Sequence, residues 1–176
     1  MDKIGFGGGC HWCTEAIFQA LKGVDHVEQG WIASTSPFDT FSEGIIVQYN
    51  DDINLDTLIE VHLLTHSSAG AHSMRTKYRS AIYFFDEADK DVVESIIRQL
   101  ALKNKKNYIT QTLPFVGFKR NTERYLNYYR NNKQGPFCKT YIDPKLTVVR
   151  KKFGRQLTSD FSSLHECPGL AYAKSE

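Results

Sequence analysis

The sequence predicts an α+β fold, a two-layer α/β arrangement built on a ferredoxin-like split βαβ core. Strand-forming stretches at Lys3–Phe6, Val27–Ala33, Gly44–Tyr49 and Tyr78–Phe85 alternate with helix-spaced apolar runs at Ile17–Leu21 and Leu55–Thr65. The resulting order is strand, helix, strand, strand, helix, strand, which lays helices on one face of a mainly antiparallel sheet. Over 176 residues, 41% hydrophobic and 24% charged residues give a globular balance. A chain of that length buries roughly 70% of its unfolded surface and folds without disulfide staples.

Each element has a local reason. Lys3–Phe6 runs into Gly7-Gly8-Gly9, a strand breaking at a flexible turn. Ile17, Phe18, Ala20 and Leu21 follow at helical spacing until Gly23. Ser34–Asp39 is a polar turn around Pro37, and Asn50-Asp51-Asp52 ends the strand of Ile45, Ile46 and Val47. Asn54 is placed to cap the helix over Leu55–Thr65. A further helix is expected from Glu87 to about Lys103, extended chain over Tyr108–Lys119 and a short helix over Asn121–Arg130. Gly135-Pro136 and Pro168-Gly169 are turn signals, so residues 133–176 read as an irregular C-terminal tail of one domain spanning 1–176.

Lys and Arg number 22 against 20 Asp and Glu, too even a balance for an electrostatic nucleic-acid binder. No window holds eighteen consecutive apolar residues and the first residues form no apolar signal region, so neither a membrane span nor classical export is expected. The 4 cysteines are too few for a secreted disulfide scaffold and, in a reducing cytoplasm, read as catalytic or metal-binding.

The chemistry concentrates in Gly7-Gly8-Gly9-Cys10-His11-Trp12-Cys13-Thr14-Glu15. A thiol where a strand meets a helix N-terminus faces unpaired amides and the positive end of the helix dipole, which favour the nucleophilic thiolate. Cys10 and Cys13 form a C-x-x-C pair, suited to a redox disulfide or to two zinc ligands. His62 and His66, at i and i+4, could complete a zinc set, although His62-Leu63-Leu64-Thr65-His66 lacks a zincin glutamate.

Gly9-Cys10-His11-Trp12-Cys13-Thr14-Glu15 resembles the Gly-Cys-Phe-Trp-(Gly or Cys)-x-Glu signature of the A-type peptide methionine sulfoxide reductases. Tyr78-Arg79-Ser80-Ala81-Ile82-Tyr83 matches that family's Tyr-Arg-Ser-Ala-Ile-Tyr block, Thr65-His66-Ser67 falls at its Asn-His-Asp, and Gly135-Pro136-Phe137-Cys138 lies near its Gly-Tyr-Cys. The resemblance implies that Cys10 attacks the sulfoxide sulfur, releasing methionine and leaving a sulfenic acid. It implies Glu43 as the general acid, Tyr78 as a hydroxyl donor to the sulfoxide oxygen, and Trp12 as an apolar wall for the substrate methyl. Cys13, Cys138 and Cys167 are then the resolving and recycling thiols, with thioredoxin or another dithiol as reductant and no metal or bound cofactor. The implied substrate is the S epimer of methionine sulfoxide, free or in proteins.

The chain departs from the family pattern in places. His11 replaces a phenylalanine of the methyl pocket and brings a titratable ring beside the thiol. A second oxygen-binding tyrosine has no counterpart; Phe38 or Phe41 falls nearest and has no hydroxyl, and Ser73 replaces an aspartate. Two other readings stay open: a general dithiol oxidoreductase or diverged paralogue acting on another oxidised sulfur compound, and a zinc-binding Cys/His module.

Overall fold

The computed structural model describes residues 2–70 and 73–162. Strand β1 (Asp2–Gly7) lies inside a six-stranded sheet because Ile4 and Phe6 are apolar and buried. It pairs antiparallel with β3 (Ser42–Tyr49) and with β4 (Ala81–Phe84), and β3 pairs antiparallel with β2 (Val24–Ala33). Strand β5 (Gln111–Pro114) joins parallel to β4 and β6 (Gly117–Arg120) joins antiparallel to β2, giving the order β5-β4-β1-β3-β2-β6. The four central strands thus have the expected split βαβ topology.

Period-two alternation sorts the sheet's side chains onto two faces. Ile45, Val47, Phe6 and Ile82 meet helices α1 (His11–Gln19), α2 (Leu55–Thr65) and α3 (Ala88–Asn104) in the main core. Ile46, Ala81, Tyr83 and Ile32 point the other way, against Phe38, Phe115 and Phe118. Asn54 caps α2, its side chain accepting from the Thr57 N–H at 2.8 Å. Such a cap stabilises a helix by about 1 kcal/mol.

Two boundaries differ from the sequence reading. Tyr78–Ser80 lie outside β4, because Arg79 leaves the strand pattern to bind loop carbonyls: its guanidinium donates to the Phe38 and Thr40 oxygens, each at 3.0 Å. The region expected to be irregular from residue 133 is largely helical as far as it is described. Helix α4 (Tyr128–Asn131) leads to a π-helical turn at Cys138–Ile142, then α5 (Asp143–Phe153) and α6 (Ser159–Ser162). Pro144 in the first turn of α5 fits a helix start, and Leu146, Val149 and Phe153 bury one face against the main core.

Candidate active site

Gly8 has φ +152, a conformation side chains rarely adopt, and a Cβ there would lie 2.4 Å from Cδ2 of His66. This turn delivers Cys10 to the N-cap of α1 with its thiol half-buried. The Cys13 thiol donates to the Cys10 sulfur and lowers its pKa; burial opposes this, the backbone N–H groups of Cys13 and Trp12 assist, and the Glu43 charge raises it. The net direction is down, toward thiolate. The same hydrogen bond, together with burial, pushes Cys13 strongly up and keeps it a thiol. Three residues apart, the two sulfurs therefore hold opposite protonation preferences.

Glu43 opens β3 on the helix face and is buried. Its Oε2 accepts the His11 backbone N–H at 3.1 Å, and its Oε1 lies 3.4 Å from Lys77 Nζ. Its own N–H donates to the Lys77 carbonyl at 2.9 Å. Trp31 faces it across β2–β3 and stands edge-on to the His11 ring at 5.1 Å.

His11 is buried beneath this group. Its Nδ1 lies 3.0 Å from the Gly30 carbonyl, and its Nε2 lies 3.3 Å from Asn121 Nδ2. Those partners require a proton on Nδ1 and a lone pair on Nε2. Burial lowers the His11 pKa, with Glu43 opposing, so its Nδ1 approach to Glu43 at 3.7 Å joins a neutral ring to the carboxyl. Asn121 continues the network to Gln29 at 2.7 Å, and Gln29 to Glu15 at 2.8 Å. Glu15 also accepts the N–H groups of Asn127 and Tyr128, which ties α1 to the chain entering α4.

Trp12 stacks on Tyr128 with centroids 4.1 Å apart and meets Phe137 edge-on at 5.3 Å. Its indole Nε1 is buried and finds no partner among the described residues. Cys138 follows Phe137, is fully buried, and lies close enough to Cys13 for its charge to raise the Cys13 pKa. Burial, followed by Asp143, raises the pKa of Cys138 itself. Lys145 of α5 lowers the Cys13 pKa and donates to the Thr65 carbonyl at 2.8 Å. The three described cysteines are unpaired.

A thiolate at a helix start, a second thiol bonded to it, a carboxyl alongside and a third thiol beyond form a site for two-electron sulfur chemistry. A family model described as peptide methionine sulfoxide reductase matches residues 2–157. The chain belongs to the peptide methionine sulfoxide reductase family. The activity that goes with membership is reduction of methionine sulfoxide, which makes the protein an oxidoreductase. It is similar to "Peptide methionine sulfoxide reductase MsrA" of Sulfolobus acidocaldarius, 30% identical over 168 residues, 87% of this chain and 96% of that protein. Among solved structures, reduced Mxr1 from Saccharomyces cerevisiae superposes with a TM-score of 0.66 at 22% identity, covering 79% of this chain and 90% of that one. Mxr1 in complex with Trx2 superposes with a TM-score of 0.51 at 19% identity, covering 72% and 83%. These likenesses agree with the two-layer fold.

Within this methionine sulfoxide reductase, Cys10, Cys13, Trp12, His11 and Glu43 converge at the start of α1, while Tyr78 stands half-buried beside Lys77, whose Nζ lies 5.0 Å from its ring centroid. Phe38 is elsewhere: it packs on the sheet face away from the helices, beneath the Arg79 guanidinium at 5.5 Å. Phe41 is exposed at the rim, with Lys119 Nζ 4.1 Å from its ring. Of the residues expected to face substrate, His11 has both ring nitrogens engaged and is only 4% exposed. Cys167 lies outside the described residues. His62 and His66 stack at 4.1 Å, and among the described residues no three His, Cys, Asp or Glu side chains gather as metal ligands.

Sequence reasoning missed Lys77 and Trp31. Trp31 reads as one more aromatic strand residue and Lys77 as a solvated loop charge. Trp31 reaches Glu43 by strand pairing and Lys77 by a turn that bonds the start of β3, and no local pattern announces either.

Proposed function

We propose that this reductase works through Cys10, assisted by Glu43 and Tyr78, and that Cys13 and then Cys138 recycle it. The observation that carries the reading is the half-buried Cys10 sulfur at the N-cap of α1, lowered in pKa by the Cys13 thiol and two backbone amides. The thiolate attacks the sulfoxide sulfur. With one proton, passed on by Glu43, the oxygen leaves the substrate sulfur and is bonded to Cys10 as a sulfenic acid while the two-electron-reduced thioether departs. Tyr78 donates to the oxygen, and Trp12 supplies apolar surface for the methyl group. The S epimer is the substrate expected from the resemblance, and free methionine sulfoxide and oxidised proteins are both substrates.

Cys13 already points its proton at Cys10, so it is the first thiol to meet the sulfenic acid; their condensation forms a disulfide and releases water. Cys138, within electrostatic reach of Cys13, then attacks the Cys13 sulfur and frees Cys10. Thioredoxin or a small dithiol reduces the final bond. A protein of the same fold caught with Trx2 supports that partner. Cys167 is proposed as a later carrier of the disulfide. Among the described residues no helix is long and apolar enough to cross a membrane. Free thiols of this kind suit a reducing compartment, which we take to be the cytoplasm.

Turnover of the two separated sulfoxide diastereomers with dithiothreitol tests the reading. The parent reduces the S epimer, and Cys10→Ser reduces neither, because a serine hydroxyl is not a comparable nucleophile at neutral pH. Substantial turnover by Cys10→Ser would transfer the chemistry to another residue.

A further inference from the structure

Lys77 is held at the carboxyl by its main chain and its side chain separately. Its carbonyl accepts the Glu43 N–H and the Ser42 hydroxyl, each at 2.9 Å. Its ammonium returns to the same residue, 3.4 Å from Glu43 Oε1, and sits 5.0 Å from the Tyr78 ring centroid. The lysine side chain is 52% exposed, whereas the carboxylate it approaches is 8% exposed, so the cation stands at the mouth of the site with its partner inside. A half-exposed ion pair of this kind adds little to stability. Its position therefore needs a different reason.

A sulfoxide oxygen already carries partial negative charge, and it gains more as the thiolate electron pair arrives at sulfur. Donors fixed where charge develops contribute most to the rate. An ammonium has three N–H bonds, and with one directed at Glu43 and one at Tyr78 a third is left for substrate. Phe38 lies on the far face of the sheet and Phe41 has no hydroxyl, so neither supplies a donor to that oxygen. We propose that Lys77 is a catalytic residue whose ammonium, anchored on Glu43 beside Tyr78, donates a hydrogen bond to the sulfoxide oxygen and holds its growing charge until the proton arrives. The reaction still takes up one proton, passed to the oxygen through Glu43, so its balance is unchanged: thiolate, sulfoxide and one proton give sulfenic acid and thioether. Hydrogen bonding to Tyr78, and then the Glu43 charge, push the Lys77 pKa up, consistent with a permanent cation at neutral pH. The inference rests on the reductase reading above.

Steady-state kinetics on the purified full chain, with free methionine sulfoxide and dithiothreitol, separate the possibilities. In Lys77→Met, kcat falls about tenfold to a hundredfold, as for loss of one transition-state donor, with a smaller change in KM. Thermal midpoint and the rate of Cys10 alkylation by iodoacetamide stay at parent values, because the main-chain bonds of residue 77 and the thiolate donors are untouched. Lys77→Arg recovers most of the lost kcat. The inference is overturned if Lys77→Met turns over within twofold of the parent, if its loss is matched by slower alkylation or a lower midpoint, or if Arg rescues nothing. A parent chain that reduces neither epimer would overturn the reductase reading, and this inference with it.

Discussion

On one side of Cys10 the chain packs two histidines against the glycine turn; on the other it packs a carboxylate and a lysine. His62 is buried and stacks on Phe6 at 4.8 Å and on His66 at 4.1 Å. His66 bonds the His62 carbonyl at 2.6 Å and Ser80 Oγ at 2.8 Å, and Ser80 bonds Thr110. Burial lowers His62 far below its ordinary pKa and takes His66 down to about 4. Glu43 is also mostly buried, but its partners are one backbone amide, a neutral histidine and a lysine open to solvent. The lesson concerns proton supply. The histidines that titrate nearest neutrality in free solution are held neutral under the turn, while the carboxyl lies against a lysine open to solvent.

That contrast can be broken from either side. Glu43→Gln keeps the shape of the open side and removes its acid, and should lower kcat by about a hundredfold, about 2.7 kcal/mol. Single-turnover reduction at neutral pH checks this, and an unchanged rate would remove Glu43 from the proton path. On the dry side, Gly8→Ala drives a methyl group into a His66 ring held by two hydrogen bonds, at a φ of +152. We expect a loss of stability on the order of 3 kcal/mol from strain and overpacking, read by urea unfolding.

The smallest effect is in pH. Between pH 6.5 and about 4, folded His66 binds fewer protons than the unfolded chain, so stability rises with pH in this window and is lost as pH falls through it. The contribution is on the order of 2 kcal/mol, and denaturation midpoints at pH 7 and pH 4.5 measure it against His66→Gln. A variant whose midpoints fall as steeply as the parent's would show that the acid sensitivity arises elsewhere.

Much of the fold was legible because it is local. Ile45, Ile46 and Val47 between Gly44 and the Asn50 turn make a strand, and Asn54 before Leu55 makes a capped helix; the structure places both there. The C-terminal segment was harder to read. Its Gly135-Pro136 turn and the lysines of α5 hide a spaced apolar stripe, Leu146, Val149 and Phe153, that forms only by packing on the core. The site divides similarly. Cys10 and Cys13 share a helix start, so adjacency in sequence brings them together, and Glu43 follows from the resemblance. Phe38 was misplaced because the loop around it is drawn to the far face by Arg79 bonds to its carbonyl and to Thr40. His11 was overvalued as a titrating group because nothing local foretells that Gly30 and Asn121 occupy both its nitrogens.

The chain contains 2 tryptophans, and both stand within this neighbourhood: Trp12, stacked on Tyr128 at 4.1 Å, and Trp31, edge-on to His11 at 5.1 Å. All the indole fluorescence of the protein therefore originates at the start of α1, where Cys10 and Cys13 lie. Tyr128 and Phe137, two of the rings packed on Trp12, belong to the stretch that leads to Cys138. Withdrawing that stretch to pass a disulfide outward would unstack the indole, so emission intensity and wavelength can follow each redox cycle without an added dye.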